Sequence, residues 1–128
     1  MKREGGDVTV VSWQKTLTFA LEAADRLAKE GVHVQVVDPR TLLPLDIDTI
    51  LESVANTGRL VVAHEAHAFA GFGAEIAAQV CERALRELKA PPKRVGAKFV
   101  PLPYSRPMES HVLPQTDDIV QAVRDVLG

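Results

Sequence analysis

Apolar residues follow two alternating patterns along the chain. The runs Val8–Trp13, Val32–Val37 and Arg59–His64 are short, rich in β-branched residues and nearly continuous in their apolar character. They are too short for helices and read as buried strands. Arg94–Val100 is a weaker fourth run. Between and after them, apolar positions recur at spacings of three and four. Leu17, Ala20, Leu21, Ala24, Leu27 and Ala28 form one such stripe; Ile47, Ile50, Leu51 and Val54 form another. A third runs from Phe72 through Ile76, Ala77, Val80, Cys81, Ala84 and Leu85 to Leu88, and a last one uses Ile119, Val120, Val123, Val126 and Leu127. That spacing predicts amphipathic helices.

Breaking residues set the boundaries. Gly31 suits a left-handed cap after the first helix, and Asp46 and Thr57-Gly58 bracket the second. Pro39 and Pro44 keep the segment between strand two and helix two irregular. Ala90-Pro91-Pro92 stops helix three, and Thr116 or Asp117 is the expected cap of the last helix. Pro101–Pro114 carries four prolines and is expected to be an extended surface segment. The predicted order is β-α-β-α-β-α-β-α. Alternation of this kind implies an α/β fold with a mostly parallel sheet covered on both faces. There is no internal repeat.

Length and composition narrow the class. At 128 residues the chain suits a single domain, 1–128. With 46% hydrophobic and 25% charged residues it can build a core without staples. The 15 basic and 17 acidic residues give a net charge of −2 and no block of one sign, so nucleic acid and an anionic membrane are not expected partners. A lone cysteine, Cys81, excludes an internal disulfide, and its place on an apolar stripe suggests core. No apolar run approaches the roughly 20 residues of a membrane span. Residues 1–7 lack the apolar stretch of a secretory signal, so a cytoplasmic protein is expected.

Candidate chemistry lies where strands end. Ligands of open parallel sheets sit beyond the carboxyl ends of strands, where the strand order reverses. Ser12-Trp13-Gln14 and His64-Glu65-Ala66-His67 could occupy that rim, the latter followed by Ala70-Gly71-Phe72-Gly73. Three chemical readings are open. His64 and His67, with Glu65, could ligate a metal, although their spacing of three differs from the helical spacing of four in zinc proteases. Gly71, Phe72 and Gly73 could present helix N-terminal amides to an anion. His64 could titrate near neutrality as an acid–base group, with Glu65 beside it. The plain readings compete with each: a structural histidine, and glycines that allow a turn and close packing. Asp38 and Arg40 are expected to tie down the loop around Pro39, and His33 and His111 have no evident chemical neighbours. No dinucleotide fingerprint, Walker A sequence or nucleophile elbow is present.

The motifs also resemble a known family. Arg3–Val11, Ala20–Ala24, Val36–Asp46, Thr57–Val62, His64-Glu65-Ala66, Gly71–Ile76, Ala90-Pro91, Arg94-Val95 and Leu113-Pro114 occur in the order found in one domain. It is the C-terminal domain of the β subunit of thiamine-diphosphate-dependent 2-oxo acid dehydrogenases (the E1 component), shared with transketolase. The resemblance implies a three-layer α/β/α domain with four to five mostly parallel strands, residues 1–7 being the remnant of an edge strand or linker. It implies a parent oxidoreductase that decarboxylates a 2-oxo acid, or uses acetoin, and passes the acyl group to lipoamide. Thiamine diphosphate and magnesium would be held by other parts of that enzyme, so this domain is expected to bind neither and to be inactive alone. The implied partners are the E1 α subunit, a second E1 β subunit and the peripheral subunit-binding domain of the acyltransferase (E2).

On this resemblance, His64, Glu65, His67, Gly71, Phe72 and Gly73 would form an interface or bind an effector anion. Lys89 and Gly128 would contact E2. Three positions depart from the family pattern: Gln14 where many relatives have Gly, Phe99 where Asp is frequent, and Lys89 where an acidic residue is common. Lys89 puts docking by the usual charge pairing in question. The alternative, from the residues alone, is an autonomous α/β module that binds a small anion or a metal.

Overall fold

The first strand fills with Val8, Thr9, Val10, Val11 and Ser12, all buried, so it must lie inside a sheet covered on both sides. A computed structural model describing residues 1–128 shows that arrangement. The elements are β1 (Val8–Ser12), α1 (Gln14–Ala28), β2 (Val34–Val37), α2 (Ile47–Thr57), β3 (Leu60–His67), α3 (Phe72–Ala84), β4 (Lys93–Ala97), α4 (Arg106–Val112) and α5 (Thr116–Leu127). The sheet has four strands in the order β2-β1-β3-β4, with every neighbouring pair parallel. This is an α/β fold with three layers.

Period-two alternation divides the strand side chains between two cores. Val8, Val10, Val34, Val36, Val61 and Ala63 face α1 and α5, meeting Ala20, Ala23, Ala24, Leu27, Ile119 and Val123. Val11, Val37, Leu60 and Val62 face α2 and α3, meeting Ile50, Val54, Ile76 and Val80. The three alanines on the buried face of α1 let that helix sit close to the sheet. The second core contains a polar knot. Thr9 Oγ1 lies 3.1 Å from Ser53 Oγ and 2.8 Å from Thr57 Oγ1, joining β1 to α2, and Thr57 Oγ1 also donates to the Arg59 carbonyl at 3.1 Å. Buried hydroxyls are tolerated because they satisfy one another.

Several expected boundaries move. β3 continues through His67, so Glu65, Ala66 and His67 belong to the strand rather than a loop. α3 ends at Ala84; turns follow, and Leu85 is exposed. β4 ends at Ala97, short of Val100. The segment expected to be extended contains helix α4, because Pro107 falls in the first helical turn, where its missing N–H is not needed. The cap of α5 is Gln115, whose amide donates to Asp118 Oδ2 at 2.8 Å, rather than Thr116 or Asp117. Thr116 instead donates to Glu22 and ties α5 to α1. Near the start, Lys2 and Arg3 pair antiparallel with Val36 on the outer side of β2. No helix is long and apolar enough to cross a membrane.

Thr9→Val keeps the shape of the side chain but removes the link between β1 and α2. It is expected to lower unfolding free energy by about 1–2 kcal/mol, read from urea denaturation, since a buried hydroxyl loses its partner. An unchanged urea midpoint would refute that role.

Candidate functional site at the sheet rim

β1 lies between β2 and β3, so the chain leaves it in one direction to β2 and later returns on the other side as β3. The order therefore reverses between β1 and β3, and their carboxyl ends define the rim. Trp13 follows β1 and His64 lies in β3. Their rings stack with centroids 5.2 Å apart and planes inclined by 28°. Phe72, the first residue of α3, meets Trp13 edge-on at 6.2 Å.

His64 is 1% exposed. Its Nε2 accepts a hydrogen bond from the Gly73 amide at 3.0 Å. That amide is one of the N–H groups left without an intrahelical partner at the start of α3, so the imidazole serves as a cap supplied by a strand. The N-cap residue, Gly71, has no side chain to do this. An accepting Nε2 requires the neutral ring with its proton on Nδ1. Burial holds the His64 pKa below the ordinary histidine value; the Ala66 backbone opposes it, and Arg94, the smallest contribution, acts with it. Nδ1 is buried and has no hydrogen-bond partner of normal geometry.

The glycines fit this ring. A Cβ on Gly73 would stand 2.5 Å from His64 Nε2 and 2.7 Å from Cδ2. One on Gly71 would stand 2.1 Å from the His67 carbonyl oxygen and 2.8 Å from His64 Cε1. Gly71 and Gly73 thus make room for an imidazole and for close backbone packing. The space above the first turn of α3 is filled by His64.

The remaining rim residues do not converge. Glu65 is half-buried, and His67 is exposed. The His67 ring packs edge-on against Phe99 at 5.2 Å. No group of three His, Cys, Asp or Glu side chains is arranged to hold a metal ion. Gln14 adopts φ 54°, in the left-handed region where glycine is unstrained. Ser12 Oγ and Thr16 Oγ1 are buried near the start of α1 without partners. Ser12 lies in the run expected to be a buried strand, whereas no motif in the sequence marks the burial of Thr16. Cys81 is half-buried at the margin of α3, outside both cores.

Lys89 follows the C-terminal end of α3. Its stem crosses Gly58, the left-handed cap of α2, and Nζ donates to the Thr57 carbonyl at 3.4 Å. The ammonium therefore meets the negative end of the α2 dipole. Gly128 follows α5, and its amide donates to Arg124 O at 3.2 Å. Lys89 and Gly128 belong to elements away from the His64 rim.

Residues 1–119 match the sequence profile described as the C-terminal domain of transketolase. The chain is 47% identical over 124 residues to the pyruvate dehydrogenase E1 component subunit beta of Rickettsia bellii, covering 97% of this chain and 38% of that protein. It is 42% identical over 127 residues to the corresponding Bacillus subtilis subunit, covering 99% and 39%. It therefore spans about two fifths of the length of these relatives. A solved structure described as a split gene transketolase, an inactive beta4 tetramer, superposes with TM-score 0.84 at 32% identity over 98% of this chain and 39% of that one.

Two outcomes test the rim. Gly73→Ala is expected to destabilise the fold by about 2 kcal/mol through overpacking, whereas Gly6→Ala, which meets nothing within 4 Å, leaves stability unchanged. Equal effects in thermal melts would exclude a tight contact at His64. The lowered His64 pKa also has a sign. The unfolded histidine binds a proton more readily, so this contribution is complete above the unfolded pKa of about 6.5 and is lost as pH falls below it, until the folded pKa is passed. His64→Gln keeps an acceptor for Gly73 without this titration. Urea midpoints should fall less between pH 7.5 and 5 in the variant than in the parent; equal falls would show that His64 is not the group responsible.

Proposed function

The chain belongs to the transketolase C-terminal domain family, and from that premise we propose that it acts as the C-terminal assembly domain of a thiamine-dependent 2-oxo acid dehydrogenase E1 β subunit. The observation that carries the reading is identity of more than 40% to pyruvate dehydrogenase E1 β subunits along nearly the whole chain. The rim supports it. His64, a buried ionisable group, caps α3, a structural role in keeping with an assembly domain. Its role in the parent enzyme is to contact other chains, with the α subunit and a second β subunit as partners, in the cytoplasm.

Thiamine diphosphate and magnesium do not fit the residues present. The imidazole of His64 fills the start of α3 where a diphosphate would otherwise meet helix amides. No cluster of acidic side chains is placed to hold a divalent ion. In this reading the cofactor is bound by other parts of the parent, which decarboxylates the 2-oxo acid and transfers the acyl group to lipoamide.

Docking of E2 belongs to the same proposal. Lys89 and Gly128 are its candidate contacts, but the Lys89 ammonium already meets the α2 carboxyl end. A basic partner would gain nothing from it, so an E2 contact here needs an acidic or neutral surface.

A chimera tests the reading: this chain replaces the matching segment of the Bacillus subtilis E1 β subunit and is co-expressed with the cognate α subunit. Assembly with α and pyruvate decarboxylation dependent on thiamine diphosphate are expected. A folded chimera that fails to assemble would overturn the proposal. Calorimetry of the 128-residue chain with thiamine diphosphate and Mg²⁺ should show no binding; tight binding would favour an autonomous ligand module.

A further inference from the structure

The two edges of the sheet differ. β2 meets Lys2 and Arg3 on its outer side, whereas β4 pairs only with β3. Hydrogen bonds elsewhere fix which backbone groups of β4 face outward. The Thr9 amide donates to the Arg59 carbonyl, so odd residues of β3 turn their N–H and C=O toward β1 and even ones toward β4. In a parallel pair a residue bonds the two neighbours of its partner. Val62, opposite Arg94, therefore engages Lys93 and Val95. The Ala97 carbonyl also faces inward, accepting from the Ala68 amide at 3.1 Å. Arg94 and Gly96 are left with both N–H and C=O pointing away from the sheet. The next outward amide, Lys98, donates to the Val112 carbonyl at 3.1 Å, where the end of α4 covers the edge. No such bond covers Arg94 or Gly96. A groove of about 600 Å³ runs along this stretch, between β4 and the flank of α5.

We propose that β4 accepts an extended, basic peptide segment of another protein as a fifth strand, seated in this groove. The outward row is the recognition chemistry: paired donors and acceptors at two-residue spacing, which an extended backbone matches. The walls set the class of peptide. Val95 turns into the core shared with α5, so every second side chain of an added strand meets the α5 wall. That wall presents Asp117, Asp118 and Asp125 and no basic group, and Ala122 leaves room between them. Asp125 pairs with Lys93 at 3.4 Å and Asp117 with Arg26 at 2.6 Å, both at exposed sites where an ion pair is weak enough to exchange. Asp118 accepts from the Gln115 amide through Oδ2. Arg94 reaches away from the groove, donating to the Ala68 carbonyl at 2.8 Å, and Lys98 lies where the edge is already covered. Lysine or arginine at alternate positions of the peptide therefore faces carboxylates. A second copy of this chain does not fit: joined through its own β4, it would set its three aspartates against these. Pro91, Pro92 and Lys93 precede the open row and blunt the edge against indiscriminate pairing. The proposal rests on the β4 backbone and the α5 wall and is independent of the assembly role.

The test is amide hydrogen exchange of the 128-residue chain, followed residue by residue, with and without a blocked peptide that alternates valine and lysine. The Arg94 and Gly96 amides should exchange quickly in the free chain and about tenfold more slowly with the peptide at about 1 mM, while Val95 changes little. N-methylation of one alternate set of peptide amides should abolish the effect, and methylation of the other set should preserve it, because only one edge of the added strand faces β4. Arg94→Pro removes an outward donor at a position where an edge strand tolerates proline, and it should weaken binding without moving the thermal melt. Asp118→Asn combined with Asp125→Asn keeps the acceptors and should weaken the lysine peptide while sparing one that alternates valine and threonine. Arg94 and Gly96 amides already protected in the free chain would overturn the proposal. So would a peptide that protects neither, or equal tolerance of both methylated sets. Protection that grows with protein concentration in the absence of peptide would overturn it in favour of a second copy.

Discussion

The hydrogen bond from the Gly73 amide to His64 Nε2 is the constraint around which the rim is built. It joins the end of a central strand to the start of the helix that follows. It demands a neutral imidazole, and burial supplies the environment that keeps it neutral. It demands glycine at 73 and close backbone packing at 71, since a side chain at either would occupy the volume of the ring. Trp13 covers the other side of the imidazole and carries the constraint to the end of β1. A group with the chemistry of a catalyst is thereby used as a structural joint.

The sheet explains why function must be sought at surfaces. Both of its faces are consumed by helices of the same chain, which leaves the edges, the rim and the outer helix faces for partners. Buried polar groups inside these layers, such as Thr9, Ser53 and Thr57, lock one helix to one strand. Nothing in them is available to a substrate.

Much of the architecture was legible from local pattern. Val8–Val11, Val34–Val37 and Leu60–Ala63 are apolar enough on both sides to demand a sheet buried on both faces. Asp46 and Gly58 bracket α2 as their chemistry suggests: the Asp46 carboxylate accepts from the Thr49 amide, and Gly58 takes the left-handed conformation. The fourth strand and α4 were less legible. β4 is an edge strand with an exposed first half, so its pattern is diluted. α4 buries nothing, so it has no apolar stripe facing a core, and its proline density resembles that of an extended segment.

The candidate site was legible as a location but not as chemistry. His64, Glu65, His67, Gly71, Phe72 and Gly73 are neighbours in the chain, and the rim was their expected place. Strand geometry separates them: His64 turns into the core beneath α3 while His67 remains outside against Phe99. The sequence by itself determined the α/β alternation, the buried strands and the family, because these rest on periodicity and on motifs read locally. Only the tertiary structure decided that His64 caps α3, that the glycines make room for its ring, and that Lys89 faces the end of α2. Those outcomes depend on which groups meet across the fold at distances near 3 Å, and spacing along the chain does not encode such meetings.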